Sequence, residues 1–202
     1  VVTLGYFFNW LSAGVAAFSL FLYAFVYTPL KKKNAIAVFV GAFPGALPCL
    51  IGWTAGTGMF LPFETMVVNG VTYSNLGGWI LFAIQFLWQF PHFWAIAWVA
   101  HKDYSTAGFK LLPSEAGPTK FTAMQTIVYS VLLLPVGILP YTINMSGTTG
   151  IIVVTLANIF LIVQCVRLYI NMDVASARRV MFSSYIHLPV VLLALLADKV
   201  TV

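Results

Sequence analysis

Charge is what this sequence has least of. Its 10 Lys or Arg and 5 Asp or Glu make only 7% of 202 residues, where an ordinary soluble domain carries about 25%. A chain that is also 61% hydrophobic cannot wet the surface of a soluble globule. Disorder is excluded by the same figures, because it needs low hydrophobicity and high net charge. Nucleic-acid binding is excluded too, since a net charge of +5 spread this thinly makes no phosphate-tracking stripe. Cysteine is equally scarce. Cys49 and Cys165 lie inside apolar runs with no Cys-x-x-Cys or Cys/His spacing, which implies packed or lipid-facing side chains and no disulfide framework. A basic leader is missing as well: the chain opens on Val1 and enters a hydrophobic segment almost at once, and so reads as the later part of a longer protein.

What is present is apolar length, with a mean hydropathy of +0.95. A bilayer core needs about 20 apolar residues per helix. Stretches at 5–27, 36–56, 76–100, 122–143, 149–169 and 180–196 meet that need, separated by polar or Gly/Pro-marked breaks. The expectation is an all-α integral membrane protein, residues 1–202 forming one polytopic domain of six transmembrane helices. Basic residues set its orientation, because Lys and Arg are retained on the cytoplasmic side. Lys31, Lys32, Lys33, Lys102, Lys110, Lys120, Arg167, Arg178 and Arg179 fall on the first, third and fifth connections, leaving Lys199 alone on the other side. Both ends of the chain then lie outside the cytoplasm. In the outer connection at 57–75, Asn69-Gly70 between β-branched residues predicts a short hairpin over Met66 to Tyr73, an ordered cap.

The third helix carries the chemistry. Gln85, Gln89 and His92 fall at i, i+4 and i+7, on one helical face among Trp, Phe, Ile and Ala. Unpaired against lipid, such groups would cost about 1–3 kcal/mol each, so they face the bundle interior. Eleven more residues of helix, close to three turns, would bring Asp103 near the same face at the cytoplasmic mouth. Two readings stay open: a polar pocket open to the cytosol, or interhelical glue. An ionisable group at membrane depth favours function for His92. His187, eight residues beyond Arg179 and so about 12 Å below the rim, is either a partner of His92 flanking a large planar ligand or an ordinary core histidine. The lysines are either a topology signal alone or, with Asp103, a site for a polyanion and its divalent metal. Mg²⁺ fits oxygen ligands of this kind.

Several blocks resemble a known family. They are Tyr27-Thr28-Pro29-Leu30-Lys31-Lys32-Lys33, Val40-Gly41-Ala42-Phe43-Pro44-Gly45-Ala46-Leu47-Pro48 with Ile51-Gly52-Trp53, Trp88-Gln89-Phe90-Pro91-His92-Phe93-Trp94-Ala95, and the run from Asp103-Tyr104-Ser105 to Leu112-Pro113. Together they resemble the haem O synthases (protohaem IX farnesyltransferases), a branch of the UbiA-type intramembrane prenyltransferases, over most of the chain. The resemblance implies a nine-helix bundle with Asp-rich motifs after its second and sixth helices, of which the six helices here would be the fourth to the ninth. It implies transfer of a farnesyl group from farnesyl diphosphate to a vinyl group of haem b, with water added. The product, haem O, serves terminal oxidases directly or after conversion to haem A, which makes haem A synthase or oxidase assembly factors expected partners. The implied location is the bacterial cytoplasmic membrane, or the mitochondrial inner membrane of a eukaryote. Carried over by position, Asp103 is the metal and diphosphate carboxylate for Mg²⁺. Tyr27, Lys31, Lys32, Lys102 and Tyr104 are diphosphate contacts, and His92, Gln89 and His187 are haem contacts.

Departures from the family pattern also matter. The first Asp-rich motif would lie before Val1, so these 202 residues alone are expected to be inactive. The second motif has one Asp where quinone-type relatives carry two or more carboxylates. Cys49 stands where a second proline is expected after Pro48. The alternatives are a prenyltransferase acting on an aromatic quinone precursor, and a non-catalytic haem-binding membrane subunit.

Overall fold

The computed structural model describes residues 1–68, 71–114 and 116–200. Six helices are long and apolar enough to cross a membrane, at Trp10–Leu30, Ala37–Thr57, Leu76–Val99, Lys120–Thr142, Thr148–Asn171 and Val174–Ala197. The protein is thus a multi-pass helical membrane protein. Large apolar side chains such as Phe25 and Ile170 are 71% and 70% exposed, as a lipid-facing surface requires.

The first span differs from the expected 5–27. A short helix α1 (Val2–Phe7) stops, and α2 (Trp10–Phe21) begins afresh. Asn9 causes the break: its side-chain oxygen accepts from Ser12 N at 2.8 Å, satisfying an N–H that the new helix would leave orphaned. The same amide donates to Thr54 O at 2.8 Å, fastening this end to the next span. After Phe21 the coil widens into a π-helical stretch, Leu22–Tyr27, before α3 (Thr28–Leu30). Widened turns of this kind gather at functional sites, and this one closes on Tyr27.

Helix α4 (Ala37–Thr57) contains Pro44 and Pro48 and ends on Gly58, whose φ of 71° is left-handed. Pro48 has no N–H for the carbonyl four residues back. That carbonyl, Pro44 O, accepts from Ser19 Oγ at 3.0 Å instead. Strands β1 (Thr65–Val68) and β2 (Val71–Ser74) then pair antiparallel with Val68 opposite Val71. This is the hairpin its sequence predicts; Asn69 and Gly70 themselves lie outside the described residues. Asn75 joins the cap to the bundle, accepting from Trp53 Nε1 at 2.6 Å and donating to Leu61 O at 2.7 Å.

Helix α5 (Leu76–Val99) is central and packs against α4, α7 (Lys120–Thr142) and α9 (Val174–Ala197). Its approach to α4 needs glycine: a Cβ on Gly78 would stand 2.7 Å from the Trp53 ring. Helix α8 (Thr148–Asn171) packs between α7 and α9. The main core, with Ile84, Leu133, Leu161, Leu168 and Val180 all nearly inaccessible, joins these four helices. The last span begins at Val174, six residues ahead of the expected 180, because Asp173 caps it by accepting from Ser176 N at 2.7 Å. Those hydrogen bonds hold the exposed Asp173 carboxyl below its ordinary value.

Candidate functional site

Helix α5 does not run on to Asp103. It stops at Val99, Ala100 turns the chain with φ −95° and ψ 19°, and a separate helix α6 (His101–Thr106) follows. The uninterrupted three turns expected between His92 and Asp103 are therefore broken, and the two residues do not share a helix face. Within α6, His101, Tyr104 and Ser105 fall at i, i+3 and i+4 and line a cavity of about 430 Å³ together with Asn34, Lys110 and Ser114. Lys102 and Asp103 are exposed and do not line it.

The first and third basic connections meet here, where Lys110 N donates to Lys31 O at 2.9 Å. Phe109 is the common surface. Lys31 Nζ lies 4.9 Å and Lys32 Nζ 5.8 Å from its ring centre, and Tyr104 packs edge-on to it at 5.9 Å. Lys31 also stands 5.9 Å from the centre of the Tyr27 ring. Tyr27 in turn lies flat on Gly41, where a Cβ would come within 2.6 Å of the ring. Three of the expected diphosphate contacts, Lys31, Lys32 and Tyr104, are thus drawn around one aromatic ring, and the fourth, Tyr27, joins them through Lys31. Asp103 and Lys102 sit on the adjoining helix, and among the described residues Asp103 has no ion-pair partner.

The glutamines face α4. Gln85 Nε2 donates to Gly45 O at 2.9 Å, and its Oε1 accepts from Cys49 Sγ at 2.7 Å. Gln89 Nε2 donates to Ala42 O at 3.0 Å and to Gln85 O at 3.2 Å. Its Oε1 occupies the space that a Cβ on Gly45 would take. Both amides are therefore engaged as helix-to-helix bonds beside the α4 prolines.

His92 faces the opposite neighbour. Its Nδ1 is 2.8 Å from Ser184 Oγ on α9, and Ser184 Oγ is itself 2.6 Å from Met181 O. A carbonyl only accepts, so the serine proton goes to Met181 and His92 Nδ1 must be the donor. The ring therefore carries a proton on Nδ1, and in its neutral form the lone pair lies on Nε2. Trp88 stacks on it at 4.4 Å and donates Nε1–H to Ser184 O at 3.0 Å. His187 is fixed by the same logic. Asn158 Nδ2 donates to Leu133 O at 3.0 Å, so Asn158 Oδ1 accepts from His187 Nε2 at 2.7 Å. Nδ1 carries the lone pair and is buried without a partner. His187 borders a groove of about 230 Å³ between α8 and α9, whose other walls are Val153, Leu156, Ala157, Phe160, Ile186 and Val190. None of the residues around His92 lines that groove. His92 itself is not among that groove's lining residues.

Sequence reasoning passed over the residues that set these geometries. His101 and Asn34 line the mouth cavity, Ser184 and Asn158 fix the two tautomers, and Gly45 makes room for Gln89. His101 carried a usable signal, standing two positions before Asp103 in a basic loop. Ser184 and Asn158 carried none, because their partners come from other helices.

A bundle of membrane-spanning helices with a cationic aromatic mouth over a polar, proline-containing helix pair defines an integral membrane protein with a rim suited to anions. The UbiA prenyltransferase family model matches residues 1–186, and the chain belongs to that family. It is 45% identical over 185 residues to the protoheme IX farnesyltransferase of Cytophaga hutchinsonii, covering 90% of this chain and 59% of that protein. It is similar also to the protoheme IX farnesyltransferases of Solibacter usitatus, at 37% identity with 95% and 61% covered, and of Flavobacterium psychrophilum, at 39% with 98% and 62% covered. The chain thus spans about three fifths of the length of these curated relatives. No solved structure matches it.

Proposed function

We propose that the complete protein is a haem O synthase, joining the farnesyl group of farnesyl diphosphate to a vinyl group of haem b. The carrying observation is the convergence of Lys31, Lys32 and Tyr104 on Phe109, with Tyr27 joined to it through Lys31, in a member of a prenyltransferase family whose similar relatives bear that name. In this reading the lysine-bearing side is cytoplasmic and both ends lie outside it. The chain works as one transmembrane domain in the bacterial cytoplasmic membrane.

The diphosphate rests against Lys31 and Lys32, with Lys102 beside it. These cations offset the negative charge that grows on the departing group. The placement of Lys31 and Lys32 over aromatic faces keeps them aimed at the mouth while remaining available to an anion. Asp103 is the carboxylate for Mg²⁺. Among the described residues no three His, Cys, Asp or Glu side chains gather into a metal cage. That fits a Mg²⁺ that enters with its substrate, since this ion is commonly held by one or two carboxylates plus phosphates. The chemistry it supplies when bound is charge neutralisation on the diphosphate oxygens. Below the mouth, Phe86, Phe90, Trp94 and Tyr129 form an aromatic wall that keeps water from the allylic cation until the vinyl carbon attacks. His92 keeps a bare Nε2 for the haem, Gln89 braces the helix that carries it, and His187 Nδ1 offers a second lone pair on the α8 side.

Incubating the full-length protein with farnesyl diphosphate, Mg²⁺ and either haem b or 4-hydroxybenzoate tests the reading. Farnesylated haem in the first mixture is the expected result. Prenylation of the phenol alone assigns the protein to the aromatic branch and overturns it.

A further inference from the structure

None of the residues gathered around Phe109 belongs to α8 or α9, yet those two helices carry a cationic rim of their own. Arg167 lies one turn before the end of α8, and Arg178 and Arg179 lie in the second turn of α9; all three are exposed. The carboxylate of this connection, Asp173, senses Arg179 but is spent on capping α9 through Ser176 N at 2.7 Å. Among the described residues neither Arg167 nor Arg179 has an ion-pair partner; Arg167 makes a long bond of 3.4 Å to Gln164 Oε1. Below these two arginines runs the groove of about 230 Å³ between α8 and α9, and helical spacing aligns it with them. Phe160 and Leu156 precede Arg167 by 7 and 11 residues, and Ile186 and Val190 follow Arg179 by the same steps. Each arginine therefore shares a helix face with its own wall of the groove. At 1.5 Å per residue the groove starts about 10 Å below the arginines and continues past about 16 Å. The other cations of this rim lie off that face. Arg178 is about 100° round α9 from Arg179, and Lys120 stands 5.8 Å from the Tyr169 ring, two residues round α8 from Arg167. His187 borders the groove, but its Nε2 is bonded to Asn158 and its Nδ1 is buried, so the surface offered is hydrocarbon. Leu156, Phe160 and Ile186 are all at least half exposed.

We infer that this face holds one anionic phospholipid, its phosphate between Arg167 and Arg179 and one acyl chain in the groove below them. A guanidinium set below the end of a membrane-spanning helix needs a counter-charge, and its long arm reaches up to the headgroup level. Its planar fork of donors matches phosphate oxygens. One leaflet is about 15 Å of hydrocarbon, half of a core of about 30 Å. A chain descending from that phosphate thus passes Phe160 and Ile186 and ends near Leu156 and Val190. A zwitterionic lipid offers the chain but brings its own cation to the arginines, and a soluble phosphate offers the charge without the chain. The site lies in the leaflet on the basic side of the protein and is independent of the transferase reading.

The test is native mass spectrometry of the full-length protein in detergent, titrated with dioleoyl phosphatidylglycerol and, separately, dioleoyl phosphatidylcholine. One phosphatidylglycerol is expected to bind about 25-fold tighter than phosphatidylcholine, because each of two basic residues at an anionic headgroup contributes about fivefold. Arg167→Ala and Arg179→Ala should each erode that preference about fivefold, and Arg179→Lys should keep most of it. Arg178→Ala removes the same charge from the wrong face and should change the preference less than about twofold. Ile186→Trp, at an exposed position, should fill the groove and weaken both lipids about fivefold or more without lowering Tm. Equal affinity for the two lipids overturns the proposal. So does an equal loss in Arg178→Ala and Arg179→Ala, which reduces the preference to the general charge of the rim, or unchanged binding in Ile186→Trp, which takes the chain out of the groove. Displacement of the bound lipid by haem b or by farnesyl diphosphate gives the site to a substrate, and a dimer that persists in lipid-free detergent and is broken by Ile186→Trp gives it to a second copy of the chain; each of these results also overturns the assignment.

Discussion

Exchanging Gly45 for alanine tests the lock between α4 and α5. The new methyl collides with Gln89 Oε1, and Gln89 is not free to turn, because its Nε2 is held by Ala42 O at 3.0 Å and Gln85 O at 3.2 Å. Two costs follow. Overpacking contributes about 1–3 kcal/mol, and each amide bond that is displaced has a net worth of about 1 kcal/mol. Ala42 O is an interior helical carbonyl that keeps its own i+4 donor whatever Gln89 does, so no buried acceptor is orphaned and the total stays near 2–4 kcal/mol, an order-of-magnitude figure. For a helical unit of this size that is a fall in Tm of roughly 4–16 °C. The assay is thermal unfolding of the full-length protein in detergent, followed by far-UV circular dichroism, within a double-mutant cycle with Gln89→Ala. In the Gln89→Ala background the methyl meets no oxygen. Replacing glycine in a helix interior then gains up to about 1 kcal/mol, so the sign of the effect reverses. If Gly45→Ala costs the same in both backgrounds, the amide is not the obstacle and the reasoning is refuted.

Two further predictions concern charge. Asp103→Asn in the full-length protein should abolish nearly all turnover while leaving haem titrations unchanged, because the change removes the carboxylate proposed for the metal and diphosphate without touching the bundle; near-normal turnover would remove Asp103 from the proposed site. Asp173 has a folded pKa depressed below the ordinary 3.8 by the Ser176 N–H and hydroxyl, so its cap stabilises the start of α9 fully above that value and loses its contribution as pH falls through the folded pKa. Asp173→Ala should therefore lower Tm at pH 6, with the gap to wild type closing as pH falls through the depressed folded pKa; a gap that does not depend on pH would mean that the ionised carboxylate is not the stabilising species.

Much of the fold was legible because lipid imposes a simple rule: about 20 apolar residues make a span, and each polar break ends one. The hairpin was legible because Asn-Gly specifies its turn locally. Helix ends were read less well. Asn9 and Asp173 are good N-cap residues, but the apolar runs around them masked the signal at Asn9, and Arg178 and Arg179 hid the early start of α9. At the site, spacing placed Gln85, Gln89 and His92 on one face, and they do point into the bundle. It did not tell that α5 is wedged between α4 and α9, so that a turn of helix separates an amide serving one neighbour from an imidazole serving the other. The break at Ala100 had no glycine or proline to announce it. The donor-lined cavity beside His101 is built from two connections far apart in sequence, and no local pattern encodes it.

The fastening of α4 has an evolutionary corollary. Ser19, Gln85 and Gln89 all reach main-chain oxygens of that helix, at Pro44, Gly45 and Ala42, and every amino acid possesses such an oxygen. At Ala42 and Pro44 the α4 side chain is thereby released from supplying these bonds, whereas α2 and α5 must keep specific donors. The thiol of Cys49 is one more donor across the contact, to Gln85. Sequence drift across these bonds should therefore be unequal, with the donor positions 19, 85 and 89 held more tightly than the acceptor positions 42 and 44.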